Sequence, residues 1–90
     1  MIELVKVARV EALPGHILHV TFTNGDAGDA DFGWILNRDW PMTKPLVDPE
    51  FFARVFISFG VPSWPNGFDV DAIQLHREMA EQGRLRRSAA

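Results

Sequence analysis

Alternation of apolar and polar residues marks two strands near the start of the chain. In the segment "HILHVTFT", Leu18, Val20 and Phe22 alternate with more polar side chains, which is the period of a half-buried β-strand. The preceding segment "ELVKVARVEAL" is rich in β-branched residues, but its apolar parity shifts between Val7 and Ala8. A β-bulge at this point reconciles the two halves. The pattern therefore predicts a bulged strand followed by a regular one.

The same parity sets the length of the loop after the second strand. A two-residue loop at Asn24 and Gly25 would set Val20 opposite Asp29, which turns a carboxylate toward the core at a cost in free energy. We therefore predict a three-residue loop, 23–25, with Gly25 in the left-handed conformation. This register pairs Leu18 with Ala30, Val20 with Gly28 and His19 with Asp29.

A second turn of similar form is present in the segment "SWPNGFD". Pro65 suits the first turn position, Asn66 the next, and Gly67 accepts a positive φ. Trp64 and Phe68 then become cross-strand neighbours. We assign a structural role to the residues of both turns, which are Asn24, Gly25, Trp64, Pro65, Asn66, Gly67 and Asp69.

Three aspartates are placed to cap helices. Asp48 opens the segment "DPEFFARV", which predicts a central helix of about two turns. Asp71 is expected to cap the C-terminal helix, with Gln74 reaching back in a capping box and Gly83 ending the helix. Asp31 is placed to cap a helical turn in "DFGWIL".

These elements predict an α+β domain with an antiparallel, mostly meandering β-sheet of about five strands. One short central helix and a C-terminal helix packed on one face complete it. The run "RVFISF" is apolar on both faces, which is typical of a central strand. Residues 1–83 are expected to form this single domain, and the basic segment 84–90 is expected to be a mobile tail.

Composition narrows the classes of function. The 90 residues are 47% apolar and 23% charged, with a net charge of −3, so the chain is not a strongly basic nucleic-acid binder. It has no cysteine, which excludes a disulfide framework, a thiolate metal site and a cysteine nucleophile. The N-terminal segment "MIELVKVARVEAL" is interrupted by charges and resembles neither a signal peptide nor a membrane span. We expect a cytoplasmic protein.

Candidate metal ligands lie around the hairpin at Asn24 and Gly25, but their spacing matches no known ligand pattern. They are His16, His19, Asp26, Asp29 and Asp31. His16 and His19 are three apart on a strand and therefore face opposite sides. The predicted register gives His19 and Asp29 a plainer role as an exposed cross-strand pair. We expect no metal and no cofactor.

Candidate catalytic and phosphate-binding residues also have structural explanations. The catalytic candidates are Ser63, Asp69, Asp71 and His76. Ser63 lies on the edge strand, Asp69 can accept from turn backbone amides, Asp71 caps a helix, and His76 sits at the border of the apolar helix stripe. The basic cluster is Arg77, Arg84, Arg86 and Arg87. This cluster lies at the end of an acidic domain and lacks an aromatic platform for stacking bases, which favours a solvated tail.

Aromatic residues on loops and edges are the candidates for partner contact. They are Trp40, Trp34, Phe56 and Pro62. Tryptophan is favoured at interface centres, and Trp40 lies on a loop beside Pro41 and Met42. The alternative is that Trp34 and Trp40 simply close the core. We expect a protein partner or a homo-oligomer, no direct nucleic-acid binding and no membrane.

Three segments together resemble one known family. They are "FTNGDAGDADFGWIL", "PLVDPEFFARV" and "SWPNGFDVDAIQL". With them, the sequence resembles the small bacterial domain-of-unknown-function family 2442 over residues 3 to about 78. The resemblance implies a compact α+β domain, sometimes found ahead of a helix-turn-helix segment and often encoded beside a small toxin-like protein. It implies no established activity.

The residues and the resemblance favour a small non-catalytic protein-interaction module, antitoxin-like or regulatory, that binds a small neighbour-encoded protein. The alternative is a component of a nucleic-acid-associated transcriptional regulator. An enzyme without a recognisable catalytic constellation is the third hypothesis.

Overall fold

Six strands, two 3-10 helices and two α-helices make up the part of the chain, residues 5–87, that the computed structural model describes. The strands are β1 (Val7–Leu13), β2 (Ile17–Phe22), β3 (Asp26–Asp31), β4 (Phe56–Ser58), β5 (Val61–Ser63) and β6 (Arg86–Arg87). The 3-10 helices span Gly33–Asn37 and Lys44–Val47, and the α-helices are α1 (Pro49–Phe52) and α2 (Ala72–Glu81). The ends of the predicted domain and tail, residues 1–4 and 88–90, lie outside the described residues.

The strands form two antiparallel sheets. One has four strands in the order β1-β2-β3-β6, and the other consists of β4 and β5. The predicted α+β class is confirmed, with α2 as the C-terminal helix. The sheet predicted to be mostly meandering is instead divided in two, because the chain leaves the first sheet after β3 and builds its helical turns before forming the β4–β5 hairpin.

The β2–β3 hairpin has the register that parity predicts. Leu18 pairs with Ala30, Val20 with Gly28 and His19 with Asp29. The β1–β2 register shifts between Val7 and Arg9, which confirms the predicted bulge. Gly25 and Gly67, at matching positions of the two predicted turns, have φ values of +94° and +93°. The cost of turning Asp29 toward the core therefore predicted the length of the 23–25 loop correctly.

Trp64 joins the second turn to the centre of the core. Its indole is fully buried and packs against the rings of Phe32, Phe52 and Phe68, at centroid distances of 6.1, 5.7 and 5.6 Å. Its Nε1–H donates to the Phe52 carbonyl at 2.9 Å, so the polar atom of a buried ring is satisfied. Across the turn, the Trp64 amide donates to the Phe68 carbonyl at 2.9 Å.

The hydrophobic core lies between the four-stranded sheet, α2 and the connecting helical turns. Its buried apolar residues are Val7, Leu18, Val20, Phe22, Ala30, Phe32, Ile35, Leu46, Phe52, Trp64, Ala72, Leu75 and Met79. The last three face inward from α2 at helical spacing, which places this helix on one face of the sheet as predicted.

The three predicted capping aspartates each accept a backbone hydrogen bond. Asp48 accepts from the Glu50 amide at 3.0 Å, and Asp71 accepts from the Gln74 amide at 2.8 Å. Asp31 accepts from the Gly33 amide at 2.8 Å, although it stands one residue before the N-cap position of its 3-10 helix. The reciprocal half of the predicted capping box is not formed, because the Gln74 side chain donates to Glu78.

Two elements differ from their predicted form. Helix α1 has a single turn of four residues rather than two turns. The run "RVFISF" supplies only the three-residue strand β4 of the smaller sheet, so the predicted central strand is wrong. The chain reverses at Phe59 and Gly60, whose carbonyl accepts from the Val7 amide at 2.8 Å. This tie holds the hairpin at the start of β1, and Phe56 and Ile57 of β4 are left exposed.

Phe59 combines an exposed side chain with an unfavourable backbone. It has a φ of +52°, and 97% of the residue is accessible to solvent. We expect Phe59→Asn to raise the free energy of unfolding by about 1 kcal/mol, because asparagine tolerates the left-handed region and a bulky side chain does not. Urea denaturation measures the change. The control is Phe56→Asn, at a position in ordinary strand conformation, and it should not raise the free energy of unfolding. Unchanged stability in Phe59→Asn would show that the backbone at Phe59 is not strained.

The segment predicted to be a tail contributes the last strand. Arg86 and Arg87 pair with Ala27 and Asp26 along the outer side of β3, and Leu85 is partly buried against the core. In the described part of this segment, residues 84–87, the chain thus continues past the predicted boundary at residue 83. No helix within residues 5–87 is long and apolar enough to cross a lipid bilayer.

Candidate functional site

A groove of about 410 Å³ opens between the end of β3, the first 3-10 helix and α2. One side carries Trp34, Arg38 and Trp40, and the other carries the α2 residues Gln74 and Glu78. Its apolar lining includes Ala30, Phe32, Leu75 and Met79, and Asp31 and Asp71 line it as well. We call it the Trp groove. Its walls are remote in sequence, and the packing of α2 brings them together.

The two tryptophans form a corner of the Trp groove. Their ring centroids are 6.3 Å apart with the planes inclined at 67°, and Trp34 also contacts the buried ring of Phe32 at 5.9 Å. Trp34 is 38% exposed and Trp40 is 50% exposed. Both indoles therefore lie at the surface, where Trp34 packs on the core residue Phe32 and Trp40 packs on Trp34.

The backbone that carries Trp40 is tightly held. Its carbonyl accepts three hydrogen bonds, from the amides of Thr43 and Lys44 at 3.1 and 3.0 Å and from the Thr43 hydroxyl at 3.2 Å. Thr43 is completely buried, and Asn66 donates to the Met42 carbonyl at 2.8 Å. The second predicted turn thus anchors the loop that presents Trp40, so the indole is exposed on a fixed support.

Charges along the Trp groove are mainly negative. Asp31, Asp71 and Glu78 contribute three carboxylates, and Arg38 contributes one guanidinium. The Arg38 guanidinium lies over the Trp40 ring, 5.0 Å from its centroid. The first two carboxylates are oriented by the caps described above, and Glu78 accepts from the Gln74 side chain at 3.2 Å.

The other predicted partner contacts lie elsewhere. Phe56 is 46% exposed on β4. Pro62 is fully buried, so its prediction as a contact residue is wrong. The chain after the Trp64 turn folds back over β5, where the Val70 amide donates to the Pro62 carbonyl at 3.0 Å. A proline that marks a strand edge in the sequence is covered in this way.

A hydrogen-bonded pair, Asp26 and His76, is the feature that sequence reasoning missed. The Asp26 carboxylate lies 2.8 Å from His76 Nε2, and both side chains are largely buried. Asn24 donates to the same carboxylate at 3.1 Å, and the ring of Phe22 meets the imidazole edge-on. Strand alternation could have indicated this pair, because Asp26 lies on the same core-facing side of β3 as Ala30 and its carboxylate therefore needs a partner. The pair links the β2–β3 hairpin to α2.

The remaining candidate ligands and catalytic residues are dispersed. His16 Nε2 contacts the carbonyls of Leu46 and Val47, and His19 Nδ1 lies 2.7 Å from Asp29. Across residues 5–87, no group of three or more histidine or acidic side chains is placed to hold a metal ion. The Ser63 hydroxyl donates to the Val61 carbonyl of its own strand at 3.3 Å.

The basic residues are only partly gathered. Arg84 and Arg86 line an open depression of about 500 Å³ together with His19 and Asp29, whereas Arg77 is exposed elsewhere on α2. Arg84 is directed to the Asp29 carbonyl at 3.5 Å. An acidic side chain therefore stands within the depression that these arginines line.

Comparison with protein families gives one match. The model of the family described as "Protein of unknown function (DUF2442)" matches residues 7–80, which include both turns and the chain from β1 into α2. The chain belongs to the DUF2442 family. The resemblance carried by the three quoted segments is thereby confirmed. No curated protein and no solved structure matches the chain.

The DUF2442 match also locates the Trp groove within the family's span. Every groove residue from Ala30 to Met79 lies inside the matched region, and β6 lies after it. All lining residues except Gln82 therefore belong to the part of the chain that the family model matches.

Proposed function

We propose that this DUF2442 chain is a non-catalytic protein-interaction module that binds its partner in the Trp groove. The expected partner is a small protein encoded beside it, toward which the chain acts in an antitoxin-like or regulatory way. The gene neighbourhood implied by the family resemblance supports this choice of partner.

The observation that carries the proposal is the pair of exposed indoles on a fixed backbone. Two large apolar side chains, Trp34 and Trp40, cluster at the groove, and each is at least one-third exposed. Such clusters mark interaction surfaces, and tryptophan is over-represented among residues that dominate binding energy. Because the Trp40 carbonyl is held by three hydrogen bonds, little loop ordering opposes binding.

The arrangement of titratable residues supports a role without catalysis. The partly buried Asp26–His76 pair lines neither the Trp groove nor the depression beside Arg84, and Asp71 serves as a helix cap. A nucleophile needs a base within hydrogen-bond reach and space for a substrate. Ser63 is instead bonded to its own strand.

The test compares capture of partner proteins from the native cell lysate by tagged wild-type protein and by Trp40→Ala, with and without nuclease. We expect a small neighbour-encoded protein in the wild-type fraction and at least about a tenfold weaker affinity for Trp40→Ala in a purified binary assay. Leu36→Ala is the matched control, because Leu36 is 52% exposed on the same segment but does not line the groove.

Thermal unfolding of the same variants shows whether each of them is folded. A Trp40→Ala protein that is folded and binds as tightly as wild type contradicts the proposal. One that fails to fold supports the alternative that Trp40 closes the core. Capture that disappears with nuclease favours the nucleic-acid hypothesis instead.

A further inference from the structure

We infer that the Trp groove recognises a cationic side chain, an arginine or lysine of the partner protein flanked by aliphatic residues. This inference rests on the proposed function and specifies the chemistry of the partner. The cation would lie against the indoles while its aliphatic stem packs on the apolar lining, and the acidic side chains would balance its charge.

The aromatic wall already accepts a guanidinium. Arg38 lies over the ring of Trp40 at 5.0 Å, within the range of a cation–π interaction. The inclined ring of Trp34, 6.3 Å from Trp40, adds a second aromatic surface to the same groove. Tryptophan is the strongest of the aromatic residues in attracting cations. The corner of two indoles is therefore suited to a second positive group.

The carboxylates of the groove retain acceptor capacity. Asp31, Asp71 and Glu78 accept from two backbone amides and one side-chain amide, which are neutral donors. None of the three forms an ion pair with a basic side chain in the described part of the chain. Each carboxylate has about four acceptor sites, so a cation can bind without displacing these bonds.

The charge balance selects the class of partner. With three carboxylates and one guanidinium, the groove lining has a formal charge of 1 − 3 = −2, and the whole chain has −3. This charge attracts basic segments and repels phosphate backbones. Leu75 and Met79 provide apolar contact for the methylene stem of lysine or arginine, whose charged end prefers a polar surrounding. A protein segment with a basic residue flanked by aliphatic residues fits both the negative charge and the apolar lining of the groove.

A defined peptide titration tests the inference without the natural partner. The probe is the capped tripeptide Leu-Arg-Leu, followed through the indole N–H signals of the ¹⁵N-labelled protein to about 10 mM peptide. We expect saturable shifts for Trp34 and Trp40 and none for buried Trp64. Leu-Lys-Leu should also bind. The uncharged isostere Leu-citrulline-Leu and the acidic Leu-Glu-Leu should bind at least about fivefold more weakly.

Charge-removing variants locate the cation. Glu78→Gln and Asp71→Asn keep side-chain shape, and asparagine still caps the helix, so each should weaken binding of Leu-Arg-Leu about two- to fivefold. Glu81→Gln is the matched control, since it removes the same charge from α2 outside the groove lining. Equal binding of arginine and citrulline peptides, equal effects of Glu78→Gln and Glu81→Gln, or no shift with any peptide would overturn the inference.

The captured partner separates this inference from the proposed function. If partner binding requires Trp40 but is unaffected by Glu78→Gln and Asp71→Asn, the groove binds a partner and the cationic chemistry is wrong. If partner binding does not require Trp40, the proposed function itself fails.

Discussion

Trp64→Ala is expected to lower the free energy of unfolding by about 3–5 kcal/mol, which approaches the whole stability of a small domain. The indole is 1% exposed, stacks against three phenylalanine rings and donates to the Phe52 carbonyl. Alanine would leave a large cavity at the junction of the second turn, α1 and the core, and it would remove one of the two hydrogen bonds that the Phe52 carbonyl accepts, the other coming from the Val55 amide. Urea denaturation followed by circular dichroism measures the loss.

Two further variants separate packing from hydrogen bonding at this position. Trp64→Phe keeps an aromatic ring but removes the Nε1–H donor, so its cost should be smaller, about 1–3 kcal/mol. Trp40→Ala deletes the same side chain from the surface and should cost much less than Trp64→Ala. If Trp40→Ala and Trp64→Ala lowered the free energy of unfolding equally, Trp40 would contribute to stability as a core residue despite its exposure.

Gly28→Ala is expected to cost about 1–3 kcal/mol, because β3 and the chain after α2 approach too closely for a side chain. A Cβ at Gly28 would lie 2.0 Å from the carbonyl oxygen of Arg84 and 3.3 Å from Met79 Cε. The first contact is with backbone, so the segment that follows α2 has to move. We expect lower stability in urea and faster hydrogen exchange where Ala27 pairs with Arg86.

Gly33→Ala is the matched control for that substitution. Its added Cβ meets the carboxylate of Asp31 at 3.0 Å, and this side chain can shift at smaller cost than backbone. Wild-type stability and exchange in Gly28→Ala would show that Arg84 is not held against β3.

Local chemistry made the hairpins and caps predictable. An Asn-Gly pair, an alternating strand and the cost of turning Asp29 inward sufficed for the register of β2 and β3. Asp48 and Asp71 precede apolar helical patterns, and both accept the expected amide hydrogen bonds. In these elements, the interactions that determine the conformation lie within about fourteen residues of one another.

Features that depend on distant packing were not predictable from one sequence. "RVFISF" is apolar on both faces, but the tie between Gly60 and Val7 places it in an outer hairpin. The Asp26–His76 pair joins residues fifty positions apart. The Trp groove was anticipated only as two exposed tryptophans, because Asp71 and Glu78 are carried by the N-cap and body of α2, whose position along the sheet is not encoded locally.

The outer strand β3 also bears on how this protein associates with other chains. Its sequence "DAGDAD" carries three aspartates, and β6 covers the backbone only at Asp26 and Ala27. An incoming strand at the remaining edge would have to approach Asp29 and Asp31, and a second copy would bring the same negative charges with it. Charged residues on an edge strand oppose such edge-to-edge growth and the aggregation that follows from it. Binding by sheet extension along β3 is thus disfavoured, and association is directed to side-chain surfaces.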